Sequence, residues 1–173
     1  ALFHFLKGKH NVTVIAPNDY PNFLKWLPGN EKVRFFDKQN NQSKKVLKKA
    51  TLIFLLDFNA MHRIGVDMQK TVEEFEGTYV MIDHHQQPDE SITDYIYSDP
   101  AICSTSQMIY HFIDKLGEVD KIDAAMSTCI YVGIMTDTGS FRFPSTTSTT
   151  HRIIADLIDR GAKNAEIHNN VYD

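Results

Sequence analysis

The sequence predicts an α/β fold, a mostly parallel sheet flanked by helices with a helical cluster in the C-terminal half, and three features carry that reading. Short β-rich runs alternate with helical stretches through the first hundred or so residues. Two of those runs, Thr51 to Asp57 (TLIFLLD) and Thr78 to Asp83 (TYVMID), are almost continuously apolar, as parallel strands covered on both faces are. From Ser104 onward the strand pattern gives way to long helical periodicity.

Taken in order, ALFHFLKGK sets apolar residues at Leu2, Phe3 and Leu6 before Gly8, so it reads as the back half of a helix closed by a glycine cap. Asn11 to Pro17 is a strand, Pro21 to Trp26 a short helix opened by proline, and Lys32 to Asp37 a second extended run. NNQSKKVLKKA places Val46, Leu47 and Ala50 on one side and Lys44, Lys45, Lys48 and Lys49 elsewhere, a surface helix whose lysines suit a solvated face better than an RNA track. Asp67 to Glu76 is helical between the two buried strands, and Ile92 to Tyr97 is an edge strand. Helices are then expected over Ser104 to Leu116 before Gly117, Asp120 to about Met135, and Thr147 to Arg160 before Gly161.

At 173 residues with 42% hydrophobic content the chain suits one well-packed domain over 1–173. A net charge of -4 supplies no field for gripping long nucleic acid, so phosphate chemistry would rest on local cations. Cys103 and Cys129 fit no zinc or redox spacing and read as core thiols of a cytoplasmic protein. No apolar run nears the roughly 18 residues of a membrane span, and no membrane partner is expected.

Both buried strands end on aspartate, Asp57 and Asp83, at the edge of an open α/β sheet where ligands bind. His84 and His85 follow Asp83 directly, and Gln86, Gln87 and Pro88 begin a loop. Taken singly, an aspartate at a strand end is ordinarily a turn or cap residue, and a His-His pair a loop feature. In GIMTDTGSFRFPSTT, however, an apolar helix breaks at Asp137, where a carboxylate can also reach the sheet edge, and Gly139 permits the sharp turn after it. Carboxylates and imidazoles from separate loops make a mixed oxygen and nitrogen site suited to Mn2+, with Mg2+, Co2+ or Zn2+ as alternatives. Two ions bridged by one aspartate would serve phosphate ester hydrolysis.

The runs LDFNAMHRIG, IDHH and GIMTDTGSFRFPSTT, in that order and spacing, resemble the DHH phosphoesterase superfamily, and most closely its bacterial members that degrade very short oligoribonucleotides and 3′-phosphoadenosine 5′-phosphate. The resemblance runs from about Asn11 to Asp173. It implies that Asp57 bridges two ions, that His84 and Asp137 are ligands of the second, that His85 faces substrate as a phosphate contact or proton donor, and that Asp83 orients an imidazole from behind. It also implies a short RNA or nucleotide phosphate as substrate. Arg63 matches the family's arginine and either contacts phosphate or holds the loop in an ion pair.

The family's first motif, His-x-x-x-Asp-x-Asp, has no counterpart: His4 is followed four residues on by Gly8, His10 by Val14 and His62 by Val66. That motif and the family's C-terminal substrate-binding domain are expected beyond the two ends of this chain. The chain alone is therefore expected to hold at most one weakly bound ion and to show little turnover, and its open sheet edge gives it reason to form a homodimer. Two other readings remain: the same metal core acting on pyrophosphate, polyphosphate, a cyclic dinucleotide or single-stranded DNA, and a catalytically silent binding or regulatory domain.

Among the lesser features, Arg142 between Phe141 and Phe143 is either a phosphate or base contact or a surface charge beside core aromatics. Ser104 is expected to cap a helix rather than hold an anion, and His111 and His151 are expected to be structural.

Overall fold

A computed structural model describes residues 1–172. They fall into two compact units: one comprises Ala1–Val12, Pro21–Glu31 and the chain from Ala101 onward, and the other comprises Thr13–Tyr20 and Lys32–Pro100.

The second unit holds the strands, all of them parallel. β1 (Val14–Ala16) pairs with β2 (Val33–Phe35), and β3 (Leu52–Leu56), β4 (Thr78–Asp83) and β5 (Tyr95–Ser98) form a second sheet with β4 in the middle. The parallel α/β class holds, in two sheets rather than one. What unites them is a shared core in place of hydrogen bonds: Ile15 of β1 and Ile53 of β3 both pack on a cluster of Phe36, Leu47, Leu55, Met68, Val72 and Met81. Helices α2 (Asn40–Leu47) and α3 (Val66–Glu73) contribute Leu47, Met68 and Val72 to it. Strand alternation explains the rest, because Ile53 and Leu55 of β3 stand opposite Tyr79 and Met81 of β4 on one face. β5 is the expected edge, and its Tyr95 and Ile96 are exposed.

β3 departs from expectation. In place of a strand covered on both faces, only Leu55 is buried, and Leu52 is 44% exposed. An apolar run reports what a strand is able to bury, and here Leu55 is buried in that cluster while Ile53 packs against it half-buried.

The first unit is helical: α1 (Leu2–Leu6), α4 (Thr105–Lys115), α5 (Ala124–Asp137), α6 (Ser148–Asp159) and α7 (Asn164–Tyr172). α5 is apolar around its whole circumference and buries Met126, Ile130, Val132, Ile134 and Met135, as a central helix must. Gly133 is required there, since a Cβ would stand 1.8 Å from the Ser106 hydroxyl of α4. The predicted starts hold at α4, where Ser104 Oγ accepts from the Gln107 amide at 3.1 Å, and at α6, where Thr147 and Thr150 form a capping box. α5 begins later than Asp120. A 3-10 turn occupies Val119–Lys121, and the cap is Asp123, which accepts from the Met126 amide at 2.8 Å. Pro21 to Trp26 likewise shortens to a 3-10 turn at Asn22–Leu24. Cys103 is buried, which pushes its thiol up, and Cys129 is half-buried.

α4 and α6 are joined by Tyr110, whose hydroxyl donates to Asp156 Oδ2 at 2.8 Å, while Arg160 Nε donates to the same oxygen at 2.7 Å. Burial first, and then the hydrogen bond to Asp156, push the Tyr110 phenol up to about 12. A raised value means that the folded state holds the proton more tightly. The stabilisation is therefore complete below the free tyrosine value of about 10 and is lost as pH rises through the folded value. Tyr110→Phe is expected to cost about 1 kcal/mol at neutral pH. Urea unfolding of wild type and variant should converge once the pH exceeds about 10, and a gap that widens there would contradict the assignment.

Candidate metal centre

β4 is hydrogen-bonded on both sides and delivers its last residue, Asp83, opposite Ser98 of β5, with the Asp83 carbonyl accepting from the Asp99 amide at 3.3 Å. The Asp83 side chain is fully buried. A carboxylate in that position needs donors, and His85 supplies two: its amide bonds to Oδ2 at 2.9 Å, and its ring Nδ1 bonds to Oδ1 at 2.7 Å. Asp83 thus lies behind the His85 ring. By accepting at Nδ1 it selects the imidazole tautomer that leaves Nε2 free for chemistry.

β3 ends one residue before Asp57, whose amide donates to the Ile82 carbonyl at 3.2 Å. Asp57 has φ +64°, the left-handed region that aspartate tolerates and β-branched residues do not. A single residue so held at a strand end costs of order 1 kcal/mol and marks a site where side-chain direction matters. Its carboxylate is exposed, with Oδ1 3.7 Å from His84 Nε2, and the His84 and His85 rings lie 4.7 Å apart between centroids. Asp57, His84 and His85 each offer one donor atom, and the three atoms lie within 4.8 Å of one another. One carboxylate and two imidazoles, one of them backed by a buried carboxylate, fit a divalent ion of borderline hardness. His85, expected to face substrate, offers a donor atom as near to those of Asp57 and His84 as a shared ion would need.

Asp137 is the exposed last residue of α5 and belongs to the other compact unit. The chain after it is unusual. Gly139, Ser140 and Phe141 take φ +56°, +60° and +67°, three left-handed residues in succession. Thr138 Oγ1 accepts from the Phe141 amide at 3.0 Å, and Ser140 Oγ is 2.7 Å from the Tyr172 hydroxyl of α7. Arg142 donates from Nε to the Gly139 carbonyl at 2.7 Å, which ties the guanidinium to this turn. Arg63 is exposed and donates from Nη1 to Asn59 Oδ1 at 3.2 Å, a loop contact with a neutral partner.

Asn59 was not singled out by the sequence. Its amide nitrogen donates to the Gln86 carbonyl at 2.7 Å, and its backbone carbonyl accepts from the Asp89 amide at 2.8 Å, so it joins the loop after β3 to the loop after β4. An asparagine just past a strand looks like any turn residue. Two further predicted structural histidines differ: His111 Nε2 lies 3.2 Å from the Gln107 amide nitrogen inside the helical unit, and exposed His151 packs its ring 6.2 Å from Phe141.

Comparison with known proteins places this geometry in context. Residues 1–134 match the model of the DHH family, N-terminal domain. The bifunctional oligoribonuclease and PAP phosphatase NrnA of Thermus thermophilus is 33% identical over 168 residues, 96% of this chain and 46% of that protein. The cyclic-di-AMP phosphodiesterase GdpP of Bacillus subtilis is 25% identical over 142 residues, 78% of this chain and 21% of that protein. The crystal structure of an exopolyphosphatase-related protein from Bacteroides fragilis superposes with a TM-score of 0.95 at 36% identity, over 99% of this chain and 50% of that one. The chain spans about half the length of the first and last of these.

The His85 tautomer is directly measurable. Long-range nitrogen-proton correlation spectra should show neutral His85 protonated at Nδ1, and Asp83→Ala should release that preference. An Nε2-protonated His85 in the wild-type chain would contradict the arrangement.

Proposed function

This chain belongs to the DHH family, and from that premise we propose that it carries the metal-binding loops of a phosphoesterase acting on short oligoribonucleotides and 3′-phosphoadenosine 5′-phosphate. The observation that carries the reading is the convergence of Asp57, His84 and His85 at the carboxyl edge of β3 and β4, with Asp83 buried behind His85. Substrate choice is supported by the relative from Thermus thermophilus, which matches along nearly the whole chain.

Asp57 and His84 would hold the ion, with Mn2+ favoured by their oxygen and nitrogen donors. The motif GIMTDTGSF keeps Asp137 as a ligand candidate on sequence grounds. A divalent cation there supplies positive charge for the phosphoryl oxygens and favours the ionised form of water. His85 has the protein's own chemical part. Because Asp83 anchors Nδ1, the Nε2 atom is presented in a fixed direction, able to contact a phosphate oxygen or to pass a proton to the departing hydroxyl. Asp83 stabilises the positive imidazole while that proton is held. Arg63 and Arg142 each use one donor within their own loops, which leaves other guanidinium donors for phosphate. Two free cysteines suit a reducing cytoplasm, and among the described residues no helix is long and apolar enough to cross a membrane.

A second reading keeps the same residues and exchanges the substrate for polyphosphate or a cyclic dinucleotide, as the names of the Bacteroides fragilis and Bacillus subtilis relatives suggest. One assay separates the two. The full-length protein with Mn2+ is expected to cleave a diribonucleotide and to release phosphate from 3′-phosphoadenosine 5′-phosphate. Asp57→Asn, which keeps a residue tolerant of left-handed φ, is expected to lower kcat/KM by at least about 100-fold without unfolding the protein. Turnover confined to polyphosphate or a cyclic dinucleotide would overturn the substrate assignment, and full activity of Asp57→Asn would overturn the site.

A further inference from the structure

We infer that Asn59 is a positioning residue that clamps the two metal-bearing loops into one preformed site, with Arg63 setting the direction of its amide. The inference rests on the metal reading above and gives a role to a residue of the run LDFNAMHRIG that stands outside the cluster of donors.

Three contacts converge on this one residue. Its Nδ2 donates to the Gln86 carbonyl at 2.7 Å, its Oδ1 accepts from Arg63 Nη1 at 3.2 Å, and its backbone carbonyl accepts from the Asp89 amide at 2.8 Å. Gln86 stands one residue beyond His85, and Asn59 two residues beyond Asp57. The bridge therefore lies beside the donor atoms on both loops. The chemistry of the partners leaves the amide one orientation. A carbonyl can only accept, so it must meet the NH2 end, and a guanidinium can only donate, so it must meet the oxygen end. Arg63 therefore holds the amide oxygen and frees the nitrogen for Gln86.

The physical benefit is preorganisation. Asp57 and the histidines come from loops that follow different strands, and an ion that had to order them on binding would lose affinity to the conformational entropy of each residue ordered. Contacts behind metal ligands typically alter metal affinity by about 10- to 100-fold. The clamp is solvent-exposed. Its loss should leave the fold almost untouched, which separates positioning from general stability.

The test uses calorimetric Mn2+ titration of wild type, Asn59→Ala and Arg63→Met, together with thermal unfolding and amide hydrogen exchange of the metal-free chains. Wild type should bind. Asn59→Ala should bind about tenfold more weakly, with Tm nearly unchanged and faster exchange at the Asp89 amide, and Arg63→Met should move in the same direction. Asn59→Ala binding as tightly as wild type would overturn the clamp. If wild type takes up no Mn2+, the metal reading fails on its own. Asp89 exchange then decides the clamp separately: acceleration in Asn59→Ala supports it, and unchanged protection overturns it.

Discussion

A carboxylate with no solvent exposure must find its hydrogen-bond donors within the protein, and Asp83 finds two of them in His85. Much of the site follows from that constraint. The parallel strands on both sides hold Asp83 in place, so its acceptor oxygens stand at a fixed point at the end of β4. The amide and ring of His85 must close on them, and the chain between has room for one residue only. His84 is thereby presented at the sheet edge, where its Nε2 lies 3.7 Å from the carboxylate of Asp57. Adjacency in Asp83-His84-His85 is thus a geometric requirement: the first residue orients the third, and the second is offered to the neighbouring loop.

The parts of this arrangement that were legible in the sequence are those written in local patterns. TLIFLLD and TYVMID mark their strands by composition and their functional ends by the sudden change to aspartate. Ser104 and Thr147 announce helix starts because a side-chain oxygen before an apolar period has few other uses. What was not legible depends on contacts far along the chain. Asp57 is not glycine, so nothing local signals its left-handed backbone, which the neighbouring strand sustains through Ile82. Gly139 hints at a turn, but the left-handed φ of Ser140 and Phe141 goes with contacts that no local pattern shows: Tyr172 meets Ser140, Thr138 accepts from the Phe141 amide, and the Phe141 ring packs on Tyr131 and His168. Asn59 joins loops 27 residues apart, a pairing with no sequence period.

Membership of the DHH family agrees with this division of labour. The sheet supplies the strand ends, and the candidate metal donors Asp57, His84 and His85 sit just beyond them, the usual arrangement of ligand sites in open α/β sheets.

A divalent ion held by Asp57 and His84 would sit beside the His85 ring. Paramagnetic broadening by sub-stoichiometric Mn2+ tests it most directly, because a ligand ring loses its signal before any more distant ring does. The ring resonances of His84 and His85 are predicted to disappear first among the eight histidines, and Asp57→Asn to abolish that selectivity. Uniform broadening of all eight, or first broadening at a histidine outside the pair, would contradict the account.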